Sequence, residues 1–134
     1  MIYVDTSAAI KLLIEEDESA ELERWLRAQQ DDSLVTSDLT RIELVRSVIR
    51  RNPLAVPQAV NLLAGFDLLR IDDRVLIAAQ SLADSPLRTL DAIHLASALR
   101  IRASLTTMLA YDKRLLAAAR AHGLPTDSPG GTEG

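Results

Sequence analysis

The chain opens Met1-Ile2-Tyr3-Val4-Asp5-Thr6-Ser7-Ala8-Ala9-Ile10-Lys11-Leu12-Leu13-Ile14. Ile2 to Val4 is a short apolar run with β-branched character, closed abruptly by Asp5-Thr6-Ser7. An uninterrupted apolar run of this kind suits a strand covered on both faces. Ala8 to Ile14 then has helical composition, so the stretch reads as a buried strand feeding a helix.

The same alternation continues outward. Asp17 to Gln30 carries Leu22, Trp25 and Leu26 among charges and is expected to be an amphipathic helix capped by Asp17 and broken at Asp31-Asp32. Leu34 to Thr36 is a second strand, followed by a helix capped by Ser37 or Asp38 that runs to Arg51 and stops at Asn52-Pro53. Further along, the expected elements are a helix over Pro57 to Gly65, a strand over Phe66 to Ile71, a helix over Asp72 to Ala83 and a loop at Ser85-Pro86. A helix over Leu90 to Arg102, a strand over Ser104 to Tyr111 and a helix over Lys113 to His122, closed by Gly123, complete the pattern. The Pro/Gly-rich residues 126–134 are expected to form a disordered tail, which leaves residues 1–125 as one domain. Strands alternating with helices indicate an α/β fold whose mostly parallel sheet is covered on both faces.

Composition narrows the function. The 134 residues are 48% hydrophobic, enough to bury roughly two thirds of the unfolded surface in one core. Cysteine is absent, which excludes disulfides, thiolate metal sites and a cysteine nucleophile, and two histidines make a His-rich zinc site hard to build. A net charge of -4 with one Trp, two Tyr and one Phe offers neither a basic surface nor a stacking platform for single-stranded nucleic acid. Any nucleic acid must therefore be met at a local site. The N-terminus lacks a basic n-region and no apolar run is long enough to span a bilayer, so a soluble, cytoplasmic protein with no membrane contact is expected.

Nineteen acids cannot all be informative. A parallel α/β sheet binds its ligand beyond the carboxyl ends of its strands, and four acids fall there: Asp5, Glu43, Asp91 and Asp112. Asp5 and Asp112 follow strands, Asp91 lies in the first turn of a helix, and Glu43 lies inside the helix after the second strand. Helical phase places Ile42, Val45, Val48 and Ile49 on one face of that helix, and Glu43, Arg46, Ser47 and Arg50 opposite. In the later helix, Asp91 shares a stripe with His94, Ala98 and Arg102 at the edge of an apolar face, and should be partly buried.

Taken singly, each acid has a plain structural reading. Asp5 and Asp112 could be helix caps, Glu43 with Arg46 an exposed ion pair, and Asp91 a complement to a helix dipole. His94, alone on its helix, reads as a structural side chain. Convergence would change this. Two carboxylates about 5 Å apart repel by roughly 3 kcal/mol at an effective dielectric of 20, so an acidic pocket asks for a cation. Oxygen donors without thiolates point to Mg²⁺ or Mn²⁺ and to a phosphodiester site.

Four stretches carry a family likeness: Ile2-Tyr3-Val4-Asp5-Thr6-Ser7-Ala8, Thr40-Arg41-Ile42-Glu43-Leu44-Val45-Arg46, Leu90-Asp91-Ala92-Ile93-His94-Leu95-Ala96 and Tyr111-Asp112-Lys113-Arg114-Leu115. In order and spacing they resemble the four acidic motifs of PIN-domain ribonucleases, and most of all the VapC toxins of VapBC toxin-antitoxin pairs. The likeness runs from Met1 to about Pro125.

The resemblance implies a three-layer α/β/α domain with a mostly parallel sheet. It also implies catalytic acids Asp5, Glu43, Asp91 and Asp112, one or two Mg²⁺ or Mn²⁺ ions, and endoribonuclease activity on structured RNA such as tRNA or rRNA. The implied partners are a second copy of the chain and a cognate VapB-type antitoxin. Within that scheme Asp5 and Asp91 are direct metal ligands, and Asp112 is direct or acts through water. Glu43 positions or deprotonates the attacking water, Thr6 or Ser7 adds a contact at the helix start, and Arg46 meets an RNA phosphate or an antitoxin carboxylate. One departure is Ala110, where many members have Thr or Ser two residues before the last Asp.

Two other classes compete. A haloacid-dehalogenase-like phosphatase would need a second Asp at Ser7, and a receiver domain would need an acidic pair near the first strand. A non-catalytic protein-binding module is the remaining alternative, distinguished by metal-dependent RNA cleavage that is lost in Asp5→Asn.

Overall fold

Three consecutive buried residues, Ile2–Val4, form strand β1 at the centre of a five-stranded parallel sheet. The structure is a computed structural model that describes residues 1–82 and 87–131. The sheet order is β3-β2-β1-β4-β5, with β2 at Leu34–Ser37, β3 at Asp67–Leu69, β4 at Thr107–Leu109 and β5 at Thr126–Asp127. Ile2 pairs with Leu34 on one side and with Thr107 on the other.

Strand alternation divides the core. Ile2, Val4 and Leu109 face a cluster with Leu22, Leu44, Val48, Ala59 and Leu63, contributed by helices α2 (Ser19–Ala28), α3 (Asp38–Arg51) and α4 (Val56–Ala64). Tyr3, Met108 and Ala110 face the opposite cluster, with Leu95 and Ala98 of α6 (Thr89–Arg100) and Leu115, Leu116 and Ala119 of α7 (Lys113–Ala121). Two helices complete the described set: short α1 (Thr6–Ala9), continued by a 3-10 turn over Ile10–Leu12, and α5 (Asp73–Ser81). This is the expected three-layer α/β/α arrangement, with the residues of the central strands β1 and β4 buried on one face or the other.

Several local expectations need correction. Asp17 does not cap α2: the residue before the helix is Glu18, which makes no capping bond, and buried Ser19 holds the turn by donating to the Lys11 carbonyl at 2.7 Å and accepting from the Glu16 amide at 2.9 Å. The strands expected over 66–71 and 104–111 shrink to three residues each, Asp67–Leu69 and Thr107–Leu109, the second preceded by a 3-10 turn over Arg102–Ser104. Ser37 and Asp72 cap α3 and α5, accepting from the Leu39 and Val75 amides. The expected loop at Ser85-Pro86 lies outside the described residues.

The largest correction concerns the tail. Thr126–Asp127 add β5 to the free edge of β4, Ser128 donates to the Ala110 carbonyl at 2.6 Å, and the Tyr111 hydroxyl donates to the Pro129 carbonyl at 2.7 Å. An uncovered strand edge presents unpaired amides and carbonyls, and here the chain end satisfies them. Residues 126–131 are therefore part of the domain, and residues 132–134 lie outside the described set.

Candidate active site

The strand order creates the site. The chain moves outward from β1 to β2 and β3, then crosses back to place β4 on the other side of β1. The reversal puts a topological switch point at the carboxyl ends of β1 and β4, the position where open parallel sheets hold their ligand crevice. Asp5 ends β1 there. It is 4% exposed, and its Oδ1 accepts from the Ala8 amide at 3.0 Å and the Ser7 hydroxyl at 2.7 Å. Ser7 Oγ also accepts from the Tyr111 amide at 2.9 Å, tying the ends of the two strands together. Asp112 follows β4 and accepts from the Arg114 and Leu115 amides at 2.9 and 3.2 Å, capping α7. Asp91 stands half-buried in the first turn of α6, as its phase requires.

Glu43 reaches the crevice from α3. Its Oε1 accepts from the Thr6 hydroxyl at 2.6 Å and lies 2.9 Å from Nε2 of His94. The Nδ1 of His94 lies 2.8 Å from the hydroxyl of fully buried Tyr3. Behind Thr6, Thr40 lies 3.3 Å away, and Thr36 contacts both Thr40 at 2.8 Å and the Val4 carbonyl at 2.5 Å.

This corrects the expected phase of α3. Its core face is Leu39, Thr40, Leu44 and Val48, while Ile42 and Ile49 are 59% and 52% exposed. Glu43 therefore sits at the edge of the buried face. Among the described residues it bonds to Thr6 and His94, not to Arg46.

The environment splits the acids. Burial drives the Asp5 carboxyl from 3.8 up to about 6; His94 and the bonds from Ser7 and Ala8 pull it back, and the Asp112 charge pushes it higher. Asp91 is also raised, by burial first and by Asp112 second. Glu43 goes the other way: burial raises it, but the hydrogen bonds from His94 and Thr6 outweigh that and hold it below the usual glutamate range. Asp5 and Asp91, both disfavoured as anions, and Asp112 all offer hard oxygen, which chemically suits a divalent cation. Among the described residues no three such side chains form a closed cage as placed; Asp5 and Asp112 each turn an oxygen toward a helix N-terminus.

A PIN-domain family model matches residues 2–121. The chain belongs to the PIN-domain family. Ribonuclease VapC47 of Mycobacterium tuberculosis (strain CDC 1551 / Oshkosh) is 47% identical over 133 residues, covering 97% of this chain and 98% of that protein. Among solved structures, the fold is similar to that of M. tuberculosis VapC20, described as a sarcin-ricin loop cleaving toxin, with a TM-score of 0.74 at 19% identity over 88% of this chain and 95% of that one. It is also similar to a chain of a toxin-antitoxin complex from Klebsiella pneumoniae, with a TM-score of 0.71 at 19% identity over 87% of this chain and 91% of that one.

Within this PIN domain the remaining expected residues are placed as follows. Both hydroxyls assigned to a contact at the helix start face acids, Thr6 toward Glu43 and Ser7 toward Asp5. Arg46 is exposed and lines a groove of about 560 Å³ between α3 and α4, together with Arg41, Ile42, Val45 and Val60. Ala110 is fully buried in the Tyr3 cluster, so the PIN domain has a methyl there instead of a hydroxyl.

Sequence reasoning missed the parts played by His94 and Tyr3. The available signal was the position of His94 one turn after Asp91 on the same stripe; nothing local marks Tyr3. Among the described residues, no helix of this PIN domain is long and apolar enough to cross a membrane.

Proposed function

We propose that the chain is a divalent-metal-dependent endoribonuclease acting as the toxin of a toxin-antitoxin pair. The observation that carries this reading is geometric: Asp5 and Asp112 follow adjacent parallel strands whose ends Ser7 ties together, and Glu43 is brought to the same end of the sheet by bonds to Thr6 and His94. Asp5 and Asp91 would hold Mg²⁺ or Mn²⁺ directly, and Asp112 directly or through water. When bound, the ion supplies Lewis acidity toward the scissile phosphate and lowers the pKa of water. Glu43, kept anionic by its two donors, orients the attacking water and takes its proton. Ser7 fixes the rotamer of Asp5 by donating to one oxygen, and Asp112 keeps its place by capping α7.

Structured RNA as substrate is supported by the family and by the ribonuclease name of a relative at 47% identity. Exposed apolar surface supports protein partners: Ile42 and Val60 in the α3/α4 groove for a VapB-type antitoxin, with Leu76, Ile77 and Leu90 as a further patch for a second copy. The test is incubation of the purified protein with structured RNA and either Mg²⁺ or Mn²⁺. Cleavage should leave 5′-phosphate and 3′-hydroxyl ends, because water attacks phosphorus. Undiminished cleavage in excess chelator, or 2′,3′-cyclic phosphate ends, would overturn the mechanism. Expression should arrest growth, with relief by the product of the neighbouring antitoxin gene.

A further inference from the structure

His94 and Tyr3 form a buried pair that the proposed chemistry does not use. The pair spans the sheet: Tyr3 belongs to the cluster on the α6/α7 face, and Glu43 rides on α3, which packs on the other face. His94 joins them past the carboxyl end of β1. Its side chain is 4% exposed and that of Glu43 is 25% exposed, so their contact is shielded from water.

The carboxylate sets the direction of the bonds it receives. An ionised carboxylate can only accept, so both groups on Oε1 of Glu43 must donate: Thr6 through its hydroxyl at 2.6 Å and His94 through Nε2–H at 2.9 Å. A neutral ring protonated at Nε2 has a bare Nδ1, and the Tyr3 hydroxyl at 2.8 Å is placed to donate to it. Tyr3 keeps its proton at neutral pH, as a phenol with an ordinary pKa of about 10 does. With the ring neutral, the chain runs Tyr3 O–H to Nδ1, then Nε2–H to Oε1. Both donors meet one carboxylate oxygen, and no hydrogen bond among the described residues engages Oε2 of Glu43.

We infer that His94 is a positioning residue for Glu43, with Tyr3 selecting the ring tautomer that donates to it, so that Glu43 presents a single, fixed oxygen to the attacking water. The inference rests on the reading of Glu43 as the residue that orients this water.

Two measurements test it. The first needs no activity: nitrogen-proton correlation spectra of the two histidines in the metal-free protein at neutral pH, assigned with His94→Gln. His94 should be in the Nε2–H form, and Tyr3→Phe should remove the hydrogen-bonded signature of Nδ1. A ring protonated at Nδ1 alone would overturn the inference.

The second is cleavage of RNA at saturating metal by His94→Leu, His94→Gln, Tyr3→Phe, Glu43→Ala and the His94→Leu/Glu43→Ala double variant. His94→Leu should lower kcat by about 10- to 100-fold with little change in KM, as seen when outer-shell partners are lost. His94→Gln, whose amide N–H can take the place of Nε2–H, should recover most of that rate. In the Glu43→Ala background the further loss from His94→Leu should be under about 3-fold, since a residue acting through Glu43 has nothing left to position. If His94→Leu does not fold, Tyr3→Phe alone and combined with Glu43→Ala carries the same comparison.

Additive losses in the double variant, or full activity of His94→Leu while Glu43→Ala is slow, would remove this inference and leave the proposed function standing. A wild type that cleaves no RNA with any divalent ion would remove both.

Discussion

Asp5 and Glu43 are both carboxylates at one crevice, and their surroundings treat them in opposite ways. Asp5 lies at the end of the central strand, almost fully buried, and loss of water outweighs its two hydrogen bonds, so ionisation is disfavoured. Glu43 is less buried and is met by two donors on one oxygen, so ionisation is favoured. Environments that push two carboxylates apart separate their tasks. An acid destabilised as an anion gains most from a cation placed beside it, and an acid already stabilised as an anion can hold a water by accepting its hydrogen bond without one. The difference between these neighbours, more than the number of acids, argues for a metal-and-base division of labour.

The largest expected effect tests the cation side. Asp5→Asn and Asp91→Asn should each slow cleavage by about a thousandfold or more, since each removes a ligand charge from the centre that activates water; cleavage assays at saturating metal check this.

Next is stability. The folded Asp5 value near 6 exceeds the unfolded one, so the folded chain retains a proton that the unfolded chain has lost between about pH 4 and 6. Stability therefore falls as pH rises through that window, and the penalty is fully present above it. Asp5→Asn keeps a capping side chain and should be more stable than wild type at pH 7 in chelator by up to about 3 kcal/mol, with the gap closing near pH 4. Adding Mg²⁺ should stabilise the wild type and leave the variant unmoved. A variant less stable than wild type at pH 7 would reduce Asp5 to a helix cap.

Glu43→Gln should move in the opposite direction. Its folded value lies below the ordinary one, so its contribution is present above the ordinary glutamate range and lost as pH falls through the folded value. Loss of about 1.5 to 3 kcal/mol at neutral pH, typical of a hydrogen bond to a charged group, should vanish in acid, as pH-dependent thermal melts would show. If both variants shift the same way, the contrast between the two acids fails.

The smallest effect is at Arg46. An exposed side chain should cost no more than about 0.5 kcal/mol of stability on conversion to Ala. Weaker RNA or antitoxin binding by the same variant, measured by titration, would assign it to the α3/α4 groove.

Much of this was legible in the chain itself. Ile2 to Val4 followed by Asp5 specifies a buried strand and the acid at its end, because strand and helix periodicities are local and a charged residue cannot continue a doubly covered strand. The alternation that follows sets the parallel sheet, and so brings Asp5 and Asp112 to the same edge. The phase of α3 could not be read in the same way. It carries two apolar stripes, Leu44 with Val48 and Ile42 with Ile49, and only the packing of the sheet and α4 decides which one is buried. The composition of residues 126–131 signals disorder, yet the unpaired edge of β4 gives them a place. Tyr3 and His94 are 91 positions apart, and their bond exists only because β1 and α6 meet at the end of the sheet. Local patterning thus determined the elements and the acids at their ends. The charge state each acid favours depends on burial and on donors brought from distant parts of the chain, and those exist only once the layers have packed.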